Sequence, residues 1–328
     1  MWQQVGDIAY YYFPGLSAQV NLVNAVFTRH GGVSQGPYAS LNAGLSVGDD
    51  PAAVLENRRR TAAALGLESR DFVGVHQVHG DRVALVVGEE EPHREGSASS
   101  PSPASPERGR GGEAGCSLPE RCENGVHEPL RGAIDAVVVR TFGAGDQGQP
   151  PIAGVDALIT SCRGAMLAMR FADCVPVLLY DPIHQAVGLA HAGWRGSAAG
   201  IASRTVRAMT QAFDTRPGDV LAGIGPSIGR CCYEVGHPVI QHFSAHFPWW
   251  RQVVADEAGS LHLDLWETNR RQLLDAGLAD EQITVAGLCT ACHTEDFYSH
   301  RREHGHGHGH GAVAGVTGRF TAVIGLRA

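Results

Sequence analysis

Apolar residues in this chain fall into short, nearly continuous runs separated by glycine, proline and charged turns. Such runs, rich in Val, Ile and Leu, read as strands buried on both faces. The clearest are Met166 to Arg170, Val175 to Tyr180 and Ala186 to Ala190, the last two joined by the turn Asp181-Pro-Ile-His184. Ile8 to Pro14, Asn21 to Thr28, Ile134 to Arg140, Val220 to Ile224, Ile283 to Leu288 and Phe320 to Leu326 read the same way. Phe72 to Val87 is apolar except for Val75-His-Gln-Val-His-Gly-Asp81, which places His76 and His79 at a strand end.

Other segments carry helical spacing. Asp50 caps and Pro51 opens a helix whose apolar face is Val54, Leu55, Ala62 and Leu65, with Gly66 ending it. Its run Arg58-Arg59-Arg60 is expected to be a solvated face. Ser197 to Phe213 is a second helix, with Ile201, Thr205, Ala208, Met209 and Ala212 on one side. Residues 237–247 and Trp266 to Ala276 are two more. Strands alternating with helices predict an α/β (interleaved α+β) fold, a single domain over 1–328 with mixed β-sheets flanked by helices.

The pattern stops at about 89–130, a Ser/Pro/Gly-rich stretch that cannot bury enough apolar surface to offset its chain entropy. We expect a disordered low-complexity insertion there and a flexible Gly-His tract at 304–311. Charge adds exclusions: 26 basic against 34 acidic residues gives −8, with no basic block, so no nucleic acid is expected as partner. No apolar run approaches the ~20 residues of a membrane span, so no membrane association is expected. The first residues lack a basic-then-apolar leader. Eight cysteines in such a chain imply reduced thiols and a cytoplasmic location. No Gly-x-Gly-x-x-Gly turn or phosphate-binding loop with its lysine occurs, which weakens nucleotide-cofactor and NTPase readings.

The candidate chemistry gathers where Cys174 precedes one strand and His191 ends the next. Gly193-Trp-Arg-Gly196 then opens a helix, bringing Arg195 and backbone N–H groups toward the same cleft. Two histidines and one cysteine with a fourth position open describe a catalytic zinc site, in which water has a pKa near about 7. The metal-free alternative makes Cys174 a nucleophile with His191 as its base. His79 joins only if the fold delivers it to them. In the loop Thr28 to Asn42, Arg29 and Asn42 have donors suited to a polar small molecule. Cys289-x-x-Cys292-His293 is weaker, because a zinc knuckle needs a second pair, and it reads as ordinary cysteines. Cys231 and Cys232 fall in the glycine-bounded turn Gly225 to Gly236.

A set of short motifs appears in one order: Arg29-His-Gly-Gly-Val-Ser34 with Ser40-Leu-Asn42, Gln77-Val-His-Gly80, Ala172-Asp-Cys-Val-Pro176 and His191-Ala-Gly-Trp-Arg-Gly196. Ile224-Gly-Pro-Ser-Ile-Gly229, Tyr298-Ser-His-Arg-Arg302 and Thr317-Gly-Arg319 follow. Together they resemble the laccase-domain proteins, also called multicopper polyphenol oxidase-like or purine nucleoside phosphorylase-type proteins, from about residue 20 onward. The resemblance implies zinc held by His79, Cys174 and His191. It also implies phosphorolysis of adenosine, inosine and methylthioadenosine to base and sugar 1-phosphate, with adenosine deamination. Purine nucleosides and phosphate are then the expected partners, with Arg29, Asn42, Arg195 and the helix start at Gly196 as candidate substrate and phosphate contacts. Copper, with polyphenol oxidation, is the alternative cofactor and activity. The sequence leaves the oligomeric state open.

Overall fold

The computed structural model describes residues 1–19, 21–87, 137–140, 152–257, 259–303 and 316–328. The insertion expected at 89–130 and the Gly-His tract at 304–311 lie outside the described residues. In chain order the strands begin with β1 (Trp2–Val5), β2 (Ile8–Tyr11), β3 (Leu22–Phe27), β4 (Phe72–His76), β5 (Val83–Val87) and β6 (Val137–Arg140). Next come β7 (Ile152–Ala153), β8 (Ala157–Thr160), β9 (Met166–Phe171), β10 (Val175–Asp181) and β11 (Ala186–Ala192). The rest are β12 (Leu221–Ile224), β13 (Val254–Glu257), β14 (Ser260–Leu263), β15 (Ile283–Val285) and β16 (Phe320–Leu326).

Two mixed sheets of seven strands form, in the orders β1-β2-β3-β16-β9-β4-β7 and β15-β12-β10-β11-β8-β5-β6, with β13 and β14 as a separate ribbon. Side chains alternate across each strand, and this alternation sorts the apolar runs into layers. From β9, Leu167, Met169 and Phe171 meet Leu178, Tyr180 and Leu189 of the other sheet, making a core between the two sheets. Met166 and Ala168 point the opposite way, toward Ala62 and Leu65 at the end of the Pro51–Ala64 helix. Val175, Val177 and Leu179 of β10 face Ile201, Val206, Met209 and Leu273, from the helices Ile201–Phe213 and Leu265–Asp275. The result is helix, sheet, sheet, helix, with the central strands of both sheets covered on both faces. That is why their strands read as unbroken apolar runs.

The interrupted apolar stretch Phe72–Val87 has its strand end at His76 as expected, with β4 in the first sheet and β5 in the second, so residues 77–82 cross between sheets. Several expectations need correction. The helix expected from Ser197 is two helices, Trp194–Ala198 and Ile201–Phe213, because Gly200 at φ +79° breaks the helical path between them. The strand expected to reach Leu288 ends at Val285, two residues before Gly287 at φ +66°. Arg58 is not on a solvated face; it is 7% exposed and donates from Nε and Nη2 to the carbonyl of Ala43 at 3.0 and 2.9 Å. Its neighbours Arg59 and Arg60 do pair with Glu56 at the surface. Asp50 caps its helix as expected, accepting from the Ala52 N–H at 3.0 Å. Among the described residues no helix is long and apolar enough to cross a membrane.

The layered core sets the first prediction. Leu178→Ala, which removes a fully buried side chain between the sheets, should cost about 2–5 kcal/mol in denaturant unfolding. Ile183→Ala, at a position 66% exposed in the neighbouring turn, should stay within about 0.5 kcal/mol of the parent.

Candidate functional site

Two crossings from the first sheet to the second build the site. The β9–β10 crossing, Ala172-Asp-Cys174, carries the cysteine, and the β4–β5 crossing carries His79. In the antiparallel β10–β11 pair Val175 faces Ala192 and Pro176 faces His191, which sets His191 beside Cys174. The ligand atoms of His79, Cys174 and His191 all lie within 4.8 Å of one another.

Asp156, one residue ahead of β8, fixes this geometry. Its carboxylate accepts from the backbone N–H groups of Val78 (3.2 Å), His79 (2.9 Å) and Gly80 (2.7 Å). The same carboxylate meets His191 Nδ1 at 3.0 Å, and the Asp156 carbonyl accepts from the His191 N–H at 2.7 Å. Burial pushes the Asp156 acid upward, but hydrogen bonds from His191, Gly80 and His79 outweigh it and hold the carboxyl below its usual range. An ionised Asp156 accepts a hydrogen bond from Nδ1–H, which leaves His191 Nε2 as the nitrogen available to a metal.

The backbone on both sides is held in the left-handed region, His79 at φ +61° and Asp173 at φ +80°. Such residues persist where their surroundings over-determine them. Asp156 does this for His79. Asp173 is pinned by the Thr290 hydroxyl and the Arg301 N–H, each donating to its carboxyl at 2.6 Å. Gln77 ties the crossing to β9, donating to the Arg170 carbonyl (2.8 Å) and accepting from the Arg170 N–H (2.9 Å).

Electrostatically the trio is a charged pair. Burial opposes ionisation of Cys174, yet attraction to His191 and hydrogen bonds from His191 and His79 bring the thiol down to about 6. Burial likewise disfavours the His191 cation, but the Cys174 thiolate and Asp156 raise it to about 9. The donor set therefore suits a thiophilic divalent metal. Gly193 fits the same account: a Cβ there would come within 2.9 Å of Cys174 Sγ and 3.3 Å of His79 Cδ2. Only glycine keeps the space beside the three ligands open.

The trio opens into a cleft of about 710 Å³. Its wall is strongly basic, with Arg58, Arg170, Arg195, Arg301 and Arg319 all lining it. Arg195 stacks on Trp194 at 4.3 Å and Arg301 on Tyr233 at 5.1 Å, and both rings also line the cleft. Burial lowers the Arg319 guanidinium from its ordinary value and raises the Tyr233 phenol.

Of the residues expected from sequence, His79, Cys174, His191 and Arg195 meet at this cleft. Arg29 and Asn42 do not line it. Arg29 braces a loop, donating to Ala39 O (2.8 Å) and Thr294 O (2.9 Å) and stacking on Tyr298. Asn42 is fully buried, donating to Asp49 and accepting from the backbone of Gly44 and Arg319. The helix expected to start at Gly196 begins at Trp194, so Gly196 is its third residue, and it does not line the cleft. Sequence reasoning missed Asp156, Arg58, Arg170, Arg301 and Arg319. Arg301 and Arg319 stood in quoted motifs without a role. Asp156, an acid at the mouth of an apolar run, was the available signal.

The profile of the multi-copper polyphenol oxidoreductase laccase family matches residues 23–104 and 126–327. The chain is 36% identical over 310 residues to "Purine nucleoside phosphorylase YlmD" of Geobacillus stearothermophilus, covering 93% of this chain and 90% of that one. The crystal structure of YlmD from that organism superposes with a TM-score of 0.73 at 33% identity, covering 100% of this chain and 99% of that chain. "Adenosine deaminase RL5" from an unknown prokaryotic organism is 31% identical over 283 residues, covering 85% of this chain and 88% of that one.

Two outcomes test the site. In metal-free protein, alkylation of Cys174, followed by peptide mass mapping, should be slow below about pH 6 and fast above it, because the thiolate is the nucleophile. Asp156→Asn should move that midpoint upward, since it weakens the imidazolium that stabilises the thiolate. The same substitution should lower zinc affinity by about 10–100-fold in a chelator competition.

Proposed function

The chain belongs to the multi-copper polyphenol oxidoreductase laccase family, and from that premise we propose that it is a zinc-dependent purine nucleoside phosphorylase with adenosine deaminase activity. One juxtaposition carries the reading: a two-histidine, one-cysteine donor set opening into a cleft lined by five arginines. His79, Cys174 and His191 would hold zinc, a three-ligand set of the kind that leaves a fourth position open. When bound there, zinc supplies a Lewis acid that polarises a carbonyl or ring atom and acidifies water, which is what deamination of a purine ring requires.

Phosphorolysis forms a bond between a phosphate oxygen and the ribose C1′ while the bond from C1′ to the purine nitrogen breaks. The base leaves with the bonding electrons and takes up a proton. The protein must hold a phosphate dianion beside the sugar and keep water away from C1′. Guanidinium groups match phosphate oxygens in bidentate pairs and stay charged when partly buried. Arg195 would meet phosphate from the exposed rim, with Arg170 and Arg319 behind it. Trp194 and Tyr233 line the same cleft and offer ring faces to a purine. The positive wall also favours departure of an anionic base.

Copper-dependent polyphenol oxidation is less well supported. It calls for further histidine-rich copper clusters beside a His₂Cys site. Among the described residues the other candidate metal groups are four cysteines and the set His293, Glu295 and Asp296. The metal-free hydrolase reading rests on the Cys174–His191 pair alone.

Purified protein free of added copper, incubated with inosine, should release hypoxanthine and ribose 1-phosphate only when phosphate is present. Adenosine should also yield inosine without phosphate. Cys174→Ala should abolish both, and Arg195→Ala should raise KM for phosphate about 10-fold or more, the loss of one charge-assisted hydrogen bond. Chromatography of the products decides it: turnover of neither nucleoside sinks the purine reading.

A further inference from the structure

A second cysteine cluster lies outside the catalytic cleft, and the fold assembles it from two distant stretches. Strands β12 and β15 run parallel, pairing Ala222 with Ile283 and Ile224 with Val285. Their chains therefore leave the sheet at the same end and in the same direction. Ser227 and Cys289 continue the pairing as a parallel bridge just beyond it. The turn after β12 carries Cys231 and Cys232, and the turn after β15 carries Cys289 and Cys292. Four sulfur atoms from these two turns lie within 4.8 Å of one another.

We propose that Cys231, Cys232, Cys289 and Cys292 form a second, structural zinc site with four thiolate ligands. Cys289-x-x-Cys292 alone is weak evidence, since a knuckle needs a second pair; Cys231 and Cys232 are that pair. Four sulfurs at a Zn–S distance of about 2.3 Å would stand about 3.8 Å apart along the edges of a tetrahedron. The contacts are close to that spacing, with Cys292 Sγ at 3.4 Å from Cys232 Sγ and 3.6 Å from Cys231 Sγ. The local backbone is a tight turn that brings Cys289 and Cys292 together. The N–H groups of Cys292 and His293 turn back onto the Cys289 carbonyl at 3.1 and 3.0 Å. The Gly229 N–H donates to Cys289 Sγ at 3.2 Å, a bond that favours a thiolate over a thiol.

Four sulfur ligands leave no position for substrate, so the site's role is to brace. The first turn also carries Ile228 and Tyr233, which line the catalytic cleft. The second carries Thr290, whose hydroxyl holds Asp173 beside Cys174, and Ala291, whose carbonyl accepts from Arg302 Nε at 2.8 Å. Zinc here ties the turn that lines the cleft to the turn that holds Asp173. It contributes to folding without taking part in chemistry.

Elemental analysis of the purified chain tests this without reference to turnover, so it stands apart from the purine reading. The parent should carry two zinc ions per chain. Cys174→Ala should retain one, with sulfur-only coordination in its X-ray absorption spectrum. Cys289→Ser/Cys292→Ser should also retain one, with mixed nitrogen and sulfur coordination, and should melt at a lower temperature. A single zinc in the parent that is lost entirely in Cys174→Ala would overturn the proposal. So would iron in place of zinc at the sulfur site, or a disulfide among the four cysteines in freshly purified Cys174→Ala. If the double variant does not fold, the Cys174→Ala measurement decides alone.

Discussion

The Asp156 carboxylate is the constraint on which the geometry of the candidate site depends. One buried group takes three backbone N–H groups from the crossing that bears His79 and the ring Nδ1 of His191. Neither job is separable from the other. The N–H contacts hold His79 itself in a left-handed conformation that non-glycine residues adopt only rarely. The ring contact selects which imidazole nitrogen faces Cys174. Two candidate ligands, 112 residues apart in the chain (191 − 79), are thus set by a single side chain that need not touch substrate.

Around that centre, charge is arranged in opposition. A chain with a net charge of −8 concentrates arginines on one concave wall, where burial limits screening. Arg58 and Arg170 both donate to the Ala43 carbonyl, which fixes one side of the wall. Arg195 and Arg301 are laid against aromatic rings on the other. Guanidinium groups held this way lose less freedom on meeting an anion than free side chains would.

What the sequence made legible follows from range. The apolar runs at Met166 to Arg170, Val175 to Tyr180 and Phe320 to Leu326 predicted β9, β10 and β16 within a residue or two, because strands buried on both faces leave a local signal. The Asp50-Pro51 start was legible for the same reason. Arg58 was misread because a run of three arginines looks solvated, while a helix turns each side chain by about 100° and sends one inward. His79 was ambiguous from local pattern alone, since its value depends on a crossing between sheets that no window of sequence reveals. The Cys231–Cys232 and Cys289–Cys292 pairs were unreadable together, because only the parallel register of β12 and β15 brings them side by side.

The position of β16 bears on how the chain is made. It lies in the interior of its sheet, between β3 and β9, although it is the last strand in sequence. On a ribosome, β3 and β9 would each wait with an unpaired edge until Phe320–Leu326 emerged, and β9 leads directly to Cys174. Open edges of apolar strands are templates for pairing with other chains. Termination after β9 but before residue 320 would therefore leave a fragment with two open apolar edges rather than a smaller, weaker fold, and quality control would have to act on it as such.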